Sequence, residues 1–243
     1  DVIVQPAADM AYGFIAEAID RSGQVRATLA PRLGMIAPIP AIRERPLLTM
    51  KDMGMGEMDM SSGGDMAGMD MSGGDMAGMD MSGGDMAGMD HGAGGHGAMN
   101  MRDPSVAPQV KMGPGVATLS PMPMDRTGER PTGLEKVDHR VLTYTQLKSL
   151  EPNPDQRKPT REIDVHLTAN MERYMWSFDG EKFSENTEPI PFRHMERVRI
   201  NLINDTMMPH PIHLHGHFFE LVTGSPGHHP LKHTVNVLPG GKV

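Results

Sequence analysis

Apolar and polar residues alternate with period two in several separate stretches of this 243-residue chain, and each such stretch predicts a β-strand with one buried face. Ile163, Val165 and Leu167 alternate with polar neighbours from about Arg161, and Val198, Ile200 and Leu202 alternate with Arg199 and Asn201. Between these runs, Met175 to Phe183 reads as a hairpin turning at Asp179-Gly180. Asn204-Asp205-Thr206 turns the chain again, Phe218 to Val222 continues as strand, and His233 to Val237 adds another before Pro239-Gly240-Gly241. About six strands at this spacing predict a β sandwich. Nearer the start, Val2 to Val4 has strand patterning. Apolar runs at Phe14 to Ile19 and Val25 to Leu29, parted by turn residues at Asp20 to Gly23, predict a hairpin of a β domain whose earlier strands are absent. Pro31, Pro38, Pro40 and Pro46 then end regular structure.

Periodicity fails between these regions. From Met50 to Met101 the chain repeats a unit of ten residues, DMSGGDMAGM from Asp70 and again from Asp80, with a longer copy from Asp59 and a degenerate one from Asp90. Three glycines per unit, at about 1 kcal/mol each relative to alanine, weigh against helix. The lack of β-branched residues weighs against strand. Such a tract is expected to be disordered until something binds it. Pro104 to Pro131, rich in Pro and Gly, reads as a second linker, and Leu134 to Leu150 as a short ordered connector. The expected organisation is therefore residues 1–46 as the last strands of one domain, 47–131 as a linker, and 132–243 as a second β domain.

Composition supports this division: aromatic residues are only 4% of the chain, against 28 Gly, 21 Pro and 25 Met. There is no cysteine, which excludes disulfides, thiolate zinc sites and thiol nucleophiles. No apolar run approaches the length of a membrane span and no signal peptide opens the chain. The net charge is −8, and Asp52 to Met101 holds nine Asp or Glu with no Lys or Arg, so the acidic excess sits on the methionine tract. That field concentrates cations. Thioether sulfur is a soft neutral donor that selects Cu(I) over hard cations. Met66, Met69, Met71, Met76, Met79, Met81, Met86 and Met89, with His91 and His96 in the degenerate repeat, are thus candidate Cu(I) ligands. The other reading is a low-complexity linker, or a Met-rich surface for protein partners. Met112, Met122 and Met124 are weaker candidates.

The densest chemistry lies in HPIHLHGHF, His210 to Phe218. Burying so many imidazoles among apolar residues is costly unless the ring nitrogens have partners. If a strand begins at His213, then His215 and His217 share its face while Leu214 points to the core. Pro211 favours a bend that aims His210 elsewhere, so one segment could serve two metal centres. A structural histidine cluster or a zinc site is the alternative.

The string HPIHLHGH within NDTMMPHPIHLHGHFFELV, with NMERYMWSFDG before it, resembles the third-domain copper motif of multicopper oxidases of the periplasmic copper-resistance (CopA) type. The resemblance implies a cupredoxin-like β sandwich, incomplete here, joined by the long Met-rich linker to the last strands of a preceding cupredoxin domain. It makes His210 a ligand of type 1 copper, His213 of type 2 copper and His215 of type 3 copper, with no ligand role for His217. The implied function is oxidation of a substrate, plausibly Cu(I), coupled to reduction of dioxygen to water, in the periplasm and in a copper-resistance role. Copper ions, dioxygen and the missing domains of the same parent chain are the implied partners. Nucleic acid is not among them.

The family pattern also requires H-x-H pairs from a first domain and a late H-C-H segment with the type 1 cysteine, and neither occurs in these residues. The chain therefore reads as a middle-to-late fragment of a larger oxidase, with no complete catalytic set and no oxidase activity alone. A non-catalytic Cu(I)-sequestering protein acting through the methionine repeats is the alternative function. The remaining candidates take plainer readings. His139, His166 and His194 are expected to be structural, His228 and His229 to be exposed loop residues, and Met207 and Met208 to be packing.

Overall fold

The computed structural model describes residues 4–6, 8–56, 100–131, 133–138, 141–185 and 188–243. Regular structure within them is almost entirely β, with only four 3-10 turns of three residues each. The alternating segments become the two central strands of the main sheet. β1 (Tyr12–Glu17) and β2 (Gln24–Leu29) form the early hairpin, in register from Tyr12 opposite Leu29 to Glu17 opposite Gln24. β3 is Met124–Asp125, β4 is Arg161–Asn170, β5 is Met175–Phe178 and β6 is Val198–Asn204. β4 and β6 pair in parallel from Arg161 opposite Val198 to Leu167 opposite Asn204, and β5 pairs antiparallel with the far end of β4.

The remaining strands are shorter. β7 is His210–His213, β8 is Phe219–Glu220, β9 is Leu231–Lys232, β10 is Thr234–Val237 and β11 is Gly241–Lys242. The five-stranded sheet has the order β3-β11-β6-β4-β5, while β7 with β10 and β8 with β9 form separate antiparallel ribbons. The core lies where the ribbons cover the main sheet. Val165 and Leu167 from β4, Val235 and Val237 from β10, and Leu221 are buried together, with Ile163, Ile200, Leu202, Ile212 and Phe219 packed against them. Burying a Val or Leu side chain contributes roughly 1.5–3 kcal/mol. This cluster is thus the main source of stability around the histidine segment.

Three expectations change. Pro104 to Pro131 is built into the domain. Ala107, Val110, Val116 and Leu119 form a second buried cluster, and the Ala117 amide donates to the Ala169 carbonyl at 2.9 Å. β3 lies parallel to β11 at the sheet edge. Proline and glycine remove helical and strand periodicity there, but the remaining backbone donors find acceptors on neighbouring segments, which is all that order requires. The second change concerns the strand expected to begin at His213, because β7 ends at that residue. Its partner β10 starts at Thr234, opposite His213, and Gly216 turns the chain at φ +80°. Third, Phe218 to Val222 does not continue β7 but forms β8 in a different ribbon.

Other elements fall where the pattern puts them. Asp179 and Gly180 both take positive φ, 50° and 82°, in a turn closed by a bridge between Phe178 and Glu181. A Cβ at position 180 would overlap the Lys111 carbonyl oxygen, so this turn needs glycine. The disorder expected of the methionine tract, with its candidates Met66, Met69, Met71, Met76, Met79, Met81, Met86, Met89, His91 and His96, falls on residues 57–99, outside the described residues, as does His139.

Candidate metal centre

His210 and His213 stand at the two ends of β7, a strand of four residues. Period two places them on opposite faces, since the side chains three positions apart point opposite ways. His210 is half-buried and packs its ring edge-on to Trp176 of β5, with centroids 4.9 Å apart and planes at 76°. Its Nε2 lies 2.8 Å from the Thr206 hydroxyl. Burial pushes the His210 pKa below the usual imidazole value, which favours the neutral ring that a metal requires.

His213 is exposed and is held from the other nitrogen. Its Nδ1 donates to the His233 carbonyl and lies 3.2 Å from the Thr234 hydroxyl. A carbonyl only accepts, so the hydrogen sits on Nδ1 and the Nε2 lone pair remains available. His215 follows two residues later, its ring 4.9 Å from that of His213 and tilted by 54°. No Asp or Glu lies within His210 to His217. The donor set is therefore imidazole alone, which suits copper or zinc.

His233, expected only as one residue of a strand, brings its ring beside that of His213. Its ring is 5.5 Å from His213 and 6.0 Å from Phe218. The signal that could have found it is register, because the residue preceding β10 must lie beside the end of β7 once the two strands pair. Among the described residues no three His, Asp or Glu side chains converge closely enough to hold a metal ion. His213 and His215 lie side by side, and His210 stands apart from them.

The other histidines sort by their hydrogen bonds. His166 is buried and pairs with Asp205, so its structural reading agrees with its position. His228 and His229 are half-buried rather than exposed. His228 Nδ1 lies 3.0 Å from the Ser149 carbonyl, and the His229 amide donates to Asn153 Oδ1 at 2.6 Å. The loop is pinned through Asn153, which sequence polarity alone does not reveal. Met207 and Met208, expected to pack, are 46% and 37% exposed. The turn after β6 buries Asn204, Asp205 and Thr206 instead and lifts the two methionines outward. His194 and His217 are exposed.

Comparison with known proteins gives the family that the chain resembles. Residues 156–243 match the model of the multicopper oxidase family. Over its full length the chain is 42% identical to copper resistance protein A of Escherichia coli and 45% identical to copper resistance protein A of Pseudomonas syringae pv. tomato, covering 42% of each relative. Multicopper oxidase MmcO of Mycobacterium tuberculosis is 42% identical over 93 residues, 37% of this chain and 18% of that protein. The chain thus spans about two fifths of the length of the curated relatives it matches along its whole length. No solved structure matches.

Proposed function

Because this chain belongs to the multicopper oxidase family, in its copper-resistance protein A type, we propose that its histidine segment supplies ligands to two separate copper centres of the whole oxidase. In this reading His210 is a ligand of the type 1 copper, His213 of the type 2 copper and His215 of a type 3 copper. The observation that carries this reading is the placement of His210 and His213 at opposite ends of β7, with hydrogen bonds on different ring nitrogens. One strand can therefore face two sites.

Bound copper would supply one-electron redox chemistry, which in this reading oxidises a substrate such as Cu(I) and reduces dioxygen to water in the periplasm. The residues of this chain bind and orient. Burial keeps His210 neutral, Trp176 covers one edge of its ring, and the His233 carbonyl turns Nε2 of His213 outward. The remaining ligands come from other parts of the parent. The test is copper spectroscopy of the full-length protein. His210→Ala removes the type 1 signal and spares the trinuclear ones, while His213→Ala removes the type 2 signal. A full type 1 signal in the His210→Ala protein would sink the assignment.

A second reading, capture of Cu(I) by the methionine tract without turnover, is favoured by the regular thioether spacing from Asp59 to Met99 within an acidic stretch. The two readings are compatible in one parent and separable by replacing residues 57–99 with a short bridge.

A further inference from the structure

Building on the assignment of His210 as a metal ligand, we infer that Thr206 is the positioning residue that decides which nitrogen of His210 is offered to the metal. The Thr206 hydroxyl has one hydrogen to donate and two lone pairs to accept with. Two carbonyl-type oxygens crowd it, Asn204 Oδ1 at 2.9 Å and the Met208 carbonyl at 3.1 Å, and either can take the hydrogen. The Met208 amide donates to the hydroxyl at 3.2 Å. One lone pair is then left, and His210 Nε2 faces it at 2.8 Å.

A hydroxyl that donated to His210 would leave its own oxygen against two acceptors with no hydrogen between them. When Nε2 carries the hydrogen and donates, the hydroxyl keeps its own for Asn204 Oδ1 or the Met208 carbonyl, and only one oxygen contact is left without a hydrogen. His210 then presents Nδ1, which has no hydrogen bond to any described residue. His213 is fixed the opposite way, with Nδ1 donating to the His233 carbonyl and Nε2 presented. The two ends of β7 thus carry opposite tautomers, each set by a hydrogen bond outside the metal site.

The arrangement is rigid because Asn204 is itself locked. Asn204 is fully buried, and its Nδ2 donates to the Met208 carbonyl at 2.7 Å and to the Val237 carbonyl at 3.0 Å. Its Oδ1 must therefore face Thr206, accepting from both the amide and the hydroxyl of that residue at 2.9 Å. The next residue, Asp205, is clamped from three sides by the Leu167 carbonyl, the Ser120 amide and the His166 ring. Thr206 has no freedom to turn its hydroxyl away.

The test reads the tautomer directly in the metal-free 243-residue chain by nitrogen-15 NMR of the histidines, at a pH about 1.5 units above the ordinary imidazole value. His210 is expected as the Nε2–H tautomer and His213 as the Nδ1–H tautomer. Thr206→Val drops the Nε2–H population of His210 below half and leaves His213 unchanged, and Thr206→Ser restores the wild-type pattern. In the full-length protein the Val variant weakens type 1 copper retention by about 10–100-fold. Wild-type His210 found as Nδ1–H overturns the proposal, even if the Val variant fails to fold. So does an unchanged His210 tautomer in a folded Val variant. If the tautomers are as stated but His210→Ala keeps the type 1 signal, the ligand assignment falls, and the role of Thr206 toward the metal falls with it.

Discussion

Asp205 Oδ2 lies 2.6 Å from Nδ1 of His166, and the two side chains are 0% and 5% exposed. The pair joins β4 to the turn that carries Thr206. Asp205 also accepts from the Ser120 amide at 2.8 Å and, through its carbonyl, from the Thr118 hydroxyl at 2.6 Å. It therefore ties the 104–131 segment to the sheet.

Burial alone would push the His166 pKa down, but the Asp205 hydrogen bond and charge outweigh it and the net shift is upward. A histidine whose folded pKa lies above its unfolded value stabilises the fold fully below the unfolded value of about 6.5, and that contribution is lost as pH rises through the folded value. Asp179, which accepts from the His166 amide, is pushed up by burial, so its own contribution falls as pH rises from the ordinary carboxylate value and the window above pH 6 rests on His166. The urea midpoint of the chain is expected to fall from pH 6 towards pH 9, and His166→Gln should flatten that slope. Because an uncompensated buried carboxylate costs roughly 3–5 kcal/mol, the same substitution lowers stability throughout. A midpoint independent of pH in the wild type would refute the charged-pair assignment.

Core burial makes a contrasting prediction at Leu167, 1% exposed between β5 and β6. Leu167→Ala should cost about 2–5 kcal/mol by denaturant unfolding. Phe14 on β1 is 71% exposed in this chain, and Phe14→Ala should stay within about 0.5 kcal/mol. Equal losses at the two positions would mean that the hairpin is covered in solution.

These two positions mark how far the fold is legible from residue order. Ile163, Val165 and Leu167 announce β4 because one face is buried and the pleat has period two. Asp20 to Gly23 announce the β1–β2 turn for the same kind of local reason. β3 and β11, two residues each, exist only because distant segments bring acceptors to their amides, and no local pattern encodes that. The histidine segment divides the same way. Ligand type and spacing are visible in HPIHLHGH, whereas the end of β7 at His213, the approach of His233 and the Thr206 hydroxyl on His210 all depend on pairing with β10 and on the turn after β6.

Ligand chemistry gives a third expectation. An intense blue type 1 centre requires a copper–thiolate bond, and this chain has no cysteine. Copper added to the isolated chain should bind without the blue absorption and without dioxygen consumption. Appearance of the blue band would overturn the division of ligands between this chain and the rest of its parent.

The last prediction concerns where the methionine tract can be cut. Both flanks are anchored on one short stretch of the domain, with the Gly54 carbonyl accepting from the Met122 amide at 2.9 Å and the Met101 carbonyl from the Leu119 amide at 2.6 Å. The anchors on this stretch, Leu119 and Met122, are three positions apart, at most ~11 Å of chain. A Cβ on Gly54 would overlap Ser120 Oγ, so that flank is tightly seated. Deleting Met50 to Met101 would therefore tear out part of the domain along with the repeats. Replacing only residues 57–99 by a short Gly/Ser bridge should leave the unfolding midpoint unchanged and abolish most Ag(I) binding by titration calorimetry, silver serving as the redox-inert soft ion. Undiminished Ag(I) stoichiometry would exclude the tract as the main soft-metal store. The imidazole segment from His210 to His217 would then be left as the chain's remaining metal chemistry.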